Sequence, residues 1–342
     1  MNMLKIDMHS HILPREWPDL NEKFNTTGFP TIHHDTGRDD SKAEIHKDGK
    51  FFRAVDPLSW DIEQRIADYG AKGVQVQVAC TVPVMFSYHA DPEHALYLGQ
   101  YLNDHLAEQC REHPRHLAGL ATLPLQAPEL AARELERCVK ELGLRGVQIG
   151  SHINSWNLND PELEPVFAAA SDLGAAVLVH PWDMMGKESM NKYWLPWLVG
   201  MPAEQSRAIC SMIFGGVFDR HPNMRVLFAH GGGSFPFTIG RIEHGWRMRP
   251  DLVAVDNPNG GPRDYLDRFY LDSCVHDQKA LEYLLELMGP ERIAMGTDYP
   301  FPLGEQQPGS GIDSLDLDEP TRERLYHGTA LEWLGLERDQ FA

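Results

Sequence analysis

The feature that most constrains this chain is a series of eight short, apolar, β-rich segments separated by stretches long enough for amphipathic helices. In order they are Leu4–Met8, Val74–Cys80, Leu117–Leu125, Gly146–Gly150, Ala175–His180, Arg225–His230, Phe269–Cys274 and Ile293–Thr297. Helical spacing is clearest at Asp91–Glu112, Pro128–Leu142, Asp160–Leu173, Ala203–Arg220, Gln278–Met288 and Glu319–Leu334. Such alternation implies parallel strands joined by helical crossovers. Eight strands favour an α/β fold closed as a (β/α)8 TIM-like barrel, with an open doubly wound sheet as the alternative that periodicity leaves. At 342 residues the chain suits one such domain, 1–342. Residues from about 14 to 60 break the alternation, being polar and carrying Gly28, Gly37, Gly49 and short pieces such as Phe51–Val55. They read as a small β-containing insertion after strand 1 that caps the barrel mouth, where active-site loops belong.

Charge narrows the partner class. Fifty acidic side chains against 31 basic ones give a formal net charge of −19, which opposes binding to nucleic acid or an anionic membrane surface. No stretch approaches the roughly 20 apolar residues that span a bilayer. A small-molecule partner is expected. Met1–Met8 runs straight into an apolar segment without a charged leader. Cys80, Cys110, Cys138, Cys210 and Cys274 are dispersed and lack C-x-x-C spacing, so reduced core thiols in a cytoplasmic protein are expected.

The chemistry gathers at the carboxyl ends of the strand-like runs. The first run leads into Asp7-Met8-His9-Ser10-His11, and side chains two apart on a strand share a face, so His9 and His11 can reach one ion. Alone the pair means little in a chain with 17 histidines. Three further runs end the same way: Ala175–Val179 in His180, Val226–Ala229 in His230, and Ile293–Thr297 in Asp298. A barrel places all these ends on one rim. A strand-end histidine bonded to loop backbone explains any one of them, and explains all five poorly. Imidazole nitrogens with one carboxylate suit Zn2+ and leave a position for water, which becomes acidic there; cobalt and iron accept the same donors. If His9, His11, His180 and Asp298 are the ligands, His230 is free to serve as general base, a role histidine fills most often. Asp7 is expected to face the same way as His9, one layer deeper. His152, after the fourth strand, reads as bonded to backbone rather than facing the pocket.

These residues, in this order and on these strands, resemble the amidohydrolase superfamily. Pro83-Val84-Met85-Phe86, Gly146-Val147-Gln148-Ile149-Gly150, His180-Pro181-Trp182-Asp183-Met184, Trp194-Leu195-Pro196-Trp197-Leu198, His230-Gly231-Gly232-Gly233 and Gly296–Glu305 resemble its metal-dependent decarboxylase branch, in the family acting on 2-amino-3-carboxymuconate 6-semialdehyde. The resemblance implies a zinc-dependent, oxygen-independent decarboxylase of the kynurenine route of tryptophan breakdown, or of related nitroaromatic degradation. It implies one Zn2+ per subunit on His9, His11, His180 and Asp298, with His230 as acid/base and Asp298 counted with it in the catalytic set. It further implies substrate contacts from Arg53 and Lys47, and a homodimer in which Arg241 enters the neighbouring subunit's site. Guanidinium groups suit a dicarboxylate substrate, although Arg241 read without the resemblance is a surface helix residue. Met184, Trp194, Phe301 and Trp182 are expected as walls against a planar ligand, and Trp197 as core packing.

The mechanism so implied has zinc-bound hydroxide, activated by His230, adding to the conjugated substrate before carbon dioxide leaves. Decarboxylation of a hydroxybenzoate-type acid and amidohydrolase-type hydrolysis use the same site architecture, and a catalytically silent binding protein retains the same fold.

Overall fold

The computed structural model describes residues 3–35, 37 and 41–341. Its main sheet has eight parallel strands in the order β1 (Ile6–Ile12), β5 (Val76–Thr81), β6 (Leu117–Ala121), β7 (Gly146–Gly150), β10 (Ala176–His180), β11 (Arg225–Phe228), β12 (Phe269–Asp272) and β13 (Ile293–Ala294). The intervening numbers belong to β2 (Pro30–His33), β3 (Ala43–Lys47) and β4 (Lys50–Val55), which form a separate antiparallel sheet, and to the small hairpin β8 (His152–Ile153) with β9 (Trp156–Asn157). The eighth strand returns to the first: Met8 N donates to Met295 O at 3.0 Å, Asp298 N to His9 O at 2.9 Å and His11 N to Tyr299 O at 2.7 Å. The sheet is thus a (β/α)8 barrel.

Two apolar shells follow from strand alternation. Ile6, Met8, Val76, Val78, Leu120, Ala176, Leu178, Leu227 and Ala229 form the interior cluster. Their sequence neighbours, including Ala79, Ala121, Val177, Val179, Val226 and Phe228, pack outward against the helices. The expected strands are found with shifted ends. The first runs on to Ile12, and the last regular ladder stops at Ala294, because the chain from Met295 bends to reach β1. Gly296 permits that approach, since a Cβ there would lie 2.7 Å from Asp272 Cβ and 3.1 Å from His9 Cβ.

Helix expectations need three corrections. Ala203–Arg220 divides into helices Met201–Phe214 and Val217–Arg220, because Gly216 takes the left-handed conformation with φ 67°. Glu319–Leu334 is interrupted by a wider turn at Arg324–Gly328. Helices Ile62–Ala71 and Phe235–Met248 went unread because glycines, Gly70 in one and Gly240 with Gly245 in the other, dilute their patterns. Between β1 and Ile62–Ala71 the chain leaves and returns at one place, since Leu13 N donates to Ser59 O at 2.8 Å. The β2–β3–β4 sheet lies within this excursion and carries Lys47 and Arg53 to the mouth.

Candidate metal centre and active-site cavity

A bulge decides what β1 presents. The register with β5 shifts between Asp7 and Ser10, so the alternation is reset and both histidines are aimed into the barrel mouth above Met8. Asp7 does not share their face, contrary to expectation. Its carboxylate accepts from Tyr69 Oη at 2.6 Å, from Thr297 Oγ1 and N, and from His9 N. It clips the first and eighth strands to the helix layer.

In the mouth His9, His11, His180 and Asp298 are buried, with one potential ligand atom from each lying within 4.8 Å of all the others. Each histidine has its Nδ1 spoken for: His9 with Asp272 Oδ2 at 2.8 Å, His11 with Thr81 O at 2.9 Å and His180 with Pro181 O at 2.6 Å. An Nδ1–H donated outward leaves the Nε2 lone pair facing inward, the tautomer a metal requires. His9 and His11 bring their Nε2 atoms to 3.2 Å, and Asp298 Oδ1 lies 3.0 Å from His11 Nε2. His180 Nε2 is buried with no hydrogen-bond partner among the described residues, an arrangement that costs free energy unless an electrophile fills it. Converging donors and this orphaned nitrogen fit a divalent cation.

The electrostatics agree. Burial, reinforced by His230, His11 and His9, holds His180 well below the ordinary imidazole range, so it is a neutral donor. Burial works against the charge of Asp298, yet bonds from His11 and His230 hold its carboxyl well below the usual carboxylate range. The site therefore offers a neutral imidazole at His180 beside anionic oxygen at Asp298.

His230 stands beside this set, with Nε2 3.5 Å from Asp298 Oδ2 and its ring 5.0 Å from that of His180. His230 and Asp298 both adopt left-handed backbone, φ 55° and 61°, a conformation costing non-glycine residues about 1–2 kcal/mol and concentrated at functional sites. The His230 turn is held by Asp272, whose carboxylate accepts from His230 N at 2.9 Å, Gly231 N at 2.7 Å and Cys274 N at 3.2 Å. One buried carboxylate thus orients the His9 ring and the His230 backbone together. Asp272 was missed in the sequence, though the signal was present: it caps the apolar run Phe269-Tyr270-Leu271 as His180 caps its own.

A cavity of about 660 Å3 opens onto His11, His180 and Asp298. Lys47, Arg53, Met184, Trp194 and Phe301 all line it, as does Trp182. Trp197 lines it too and packs on Trp194 at 5.9 Å, because the Pro196–Gly200 turn presents it to the mouth rather than to the core. The Arg53 guanidinium lies 4.4 Å over the Phe301 ring, and burial lowers its pKa, as it does that of Lys47. His152 bonds Asn154 O at 2.9 Å and is not a cavity wall. Arg241 is exposed on helix Phe235–Met248, outside this chain's own cavity.

Comparison with known proteins places this geometry. The amidohydrolase family model matches residues 6–336. The chain is 55% identical over 339 residues to 2-amino-3-carboxymuconate-6-semialdehyde decarboxylase of Dictyostelium discoideum, covering 99% of this chain and 93% of the relative. It is 36% identical over 386 aligned residues to the enzyme of the same name from Caenorhabditis elegans, covering 98% and 95%. The fold is that of 5-carboxyvanillate decarboxylase from Sphingomonas paucimobilis, with a TM-score of 0.81 and 23% identity over 98% of this chain and 100% of that one. The chain belongs to the amidohydrolase family and, within it, to the metal-dependent decarboxylases.

Proposed function

We propose that the chain converts 2-amino-3-carboxymuconate 6-semialdehyde to 2-aminomuconate 6-semialdehyde and carbon dioxide, using one Zn2+ held by His9, His11, His180 and Asp298. The observation that carries this reading is a buried ligand set at the floor of a cavity whose walls hold Arg53 and Lys47. The names of the relatives at 55% and 36% identity agree with it. A bound divalent ion supplies Lewis acidity and lowers the pKa of water. Arg53 can take a substrate carboxylate through two parallel hydrogen bonds, while Phe301, Met184 and Trp194 flank the planar conjugated chain. His230 Nε2 moves the proton: it accepts one as water adds to the conjugated substrate and returns one to the neighbouring carbon. The carbon–carboxylate bond then breaks, its electron pair restores conjugation and expels the added hydroxyl as hydroxide, and that hydroxide takes a proton from solvent to leave as water.

Arg241 belongs to this reading only in a homodimer, where it reaches the partner protomer's site; its helix also exposes Phe237 and Met248. Mixing inactive Arg241→Ala with inactive His230→Ala protein tests this, because a mixed dimer regains one intact site. We read residues 1–342 as one domain with the insertion at about 14–60 as its lid, and assign the chain to the cytoplasm on its five free cysteines. No helix among the described residues is long and apolar enough to cross a membrane.

The deciding experiment adds the semialdehyde to zinc-loaded protein and follows its absorbance and carbon dioxide release. Release without net uptake of water is expected. Decay at the spontaneous rate overturns the substrate, and a hydrated product favours hydrolysis. His230→Ala should retain zinc and lose turnover; normal turnover with full zinc removes His230 from its role.

A further inference from the structure

Glu204 is a buried carboxylate that the proposed chemistry does not use. It lies in the first turn of helix Met201–Phe214 and is 0% exposed. Its ion-pair neighbour among the described residues is His152, with Nε2 3.8 Å away. A carboxylate taken out of water at such a position is destabilising unless dipoles replace the solvent. Here they come from the loop that follows β10. Oε1 accepts from Trp182 N at 2.8 Å and Asp183 N at 3.3 Å, and Oε2 from Met185 N at 3.1 Å; Ser151 Oγ donates to Oε1 as well.

The Trp182 bond is the informative one. Its N–H belongs to the same peptide unit as Pro181 O, the acceptor for His180 Nδ1 at 2.6 Å. That planar unit is gripped at both ends, by Glu204 on its N–H and by His180 on its carbonyl. The carboxylate polarises the peptide and strengthens its carbonyl as an acceptor. The carbonyl in turn fixes His180 as the tautomer whose unpartnered Nε2 faces His9, His11 and Asp298. The same grip sets the backbone of Trp182, Asp183 and Met184, all of which line the cavity.

We propose that Glu204 is a positioning residue that holds His180 for the metal through the Pro181–Trp182 peptide and, with it, one wall of the substrate cavity. This rests on the assignment of His180 as a metal ligand under the proposed function. The variant Glu204→Gln keeps shape but removes the charge and one acceptor oxygen. Zinc affinity, measured by competition with a chromophoric chelator, should fall about tenfold or more. Amide hydrogen exchange should accelerate at Trp182, Asp183 and Met185 while the other barrel strands stay protected. A merely structural role would lower overall stability without moving affinity or confining the exchange to this loop. Zinc affinity within twofold of the parent protein, or unchanged exchange at these amides, overturns the proposal. Should Glu204→Gln fail to fold, Glu204→Asp keeps the charge one methylene too short to span Trp182 and Met185, and is read by the same two measurements. Neither measurement needs the substrate, so an error in substrate assignment leaves this test intact.

Discussion

Arg65 offers a stability test in which two opposing effects can be weighed. It sits on helix Ile62–Ala71 and is 0% exposed. No carboxylate among the described residues bonds it; instead Nη1 donates to His11 O and Leu58 O, each at 2.7 Å, and Nε and Nη2 donate to Gln77 Oε1 at 3.2 and 2.8 Å. Its guanidinium also lies 4.9 Å over the Tyr299 ring. It therefore ties the end of β1, the end of the insertion and β5 together beneath the site. Arg65→Met relieves the cost of a buried charge, which can be several kcal/mol. Against that, the buried acceptors on His11 and Gln77 lose their donors, at about 1–3 kcal/mol each, while the partly exposed Leu58 carbonyl can recover water. The native charge is already compensated by these four hydrogen bonds, so the stranded acceptors should win, with a net loss of about 2–4 kcal/mol. Equilibrium urea unfolding of zinc-matched samples reads this as a lower midpoint at unchanged slope. A variant as stable as the parent, or more so, would show that desolvation of the guanidinium outweighs its bonds and refute the reasoning.

Other expectations follow from single contacts. Asp272→Asn presents an amide N–H to the donors around Asp272 and permits the wrong His9 tautomer, so zinc affinity by chelator competition should drop about 10–100-fold. Gly296→Ala should cost about 1–3 kcal/mol in thermal or urea unfolding, because the new Cβ meets Asp272 and His9 in the crowded floor of the site. Arg53→Ala should raise KM about tenfold or more with a smaller change in kcat, reflecting a lost charge-assisted contact to carboxylate; unchanged KM removes Arg53 from substrate binding. Bonds from Arg137, Asn103 and Gln100 outweigh the opposing effect of burial and hold Glu134 below the usual glutamate value of 4.5. A depressed native pKa means this stability is fully present above pH 4.5 and is lost as pH falls through the lowered value. The stability gap between the parent and Glu134→Gln should accordingly stay constant from neutral pH down to that point and shrink below it.

The sequence by itself determined a parallel α/β sheet with its chemistry at the strand ends, while closure into a barrel was decided by the bonds between the eighth and first strands. Eight apolar runs with helices between them specify parallel pairing, and a closed parallel sheet brings the carboxyl ends of all its strands to one side. His9, His11, His180, His230 and Asp298 could therefore be grouped by strand position without knowing a single distance. Lys47 and Arg53 were named by the family resemblance rather than by position, and the insertion after strand 1 carries both to that rim. What only the tertiary structure decided is how those side chains are held. The bulge in β1 turns Asp7 away from the face of His9, and it depends on pairing with β5 rather than on local composition. Asp272 reaches both His9 and His230 because barrel strands are staggered and twisted, so that a residue 263 positions from His9 becomes its neighbour. Glu204 and Arg65 resemble ordinary polar residues of amphipathic helices until the loops that supply their partners are folded over them. Periodicity reports which face a side chain takes, whereas its hydrogen-bond partner is fixed by the stagger, bulges and loop returns of the closed barrel.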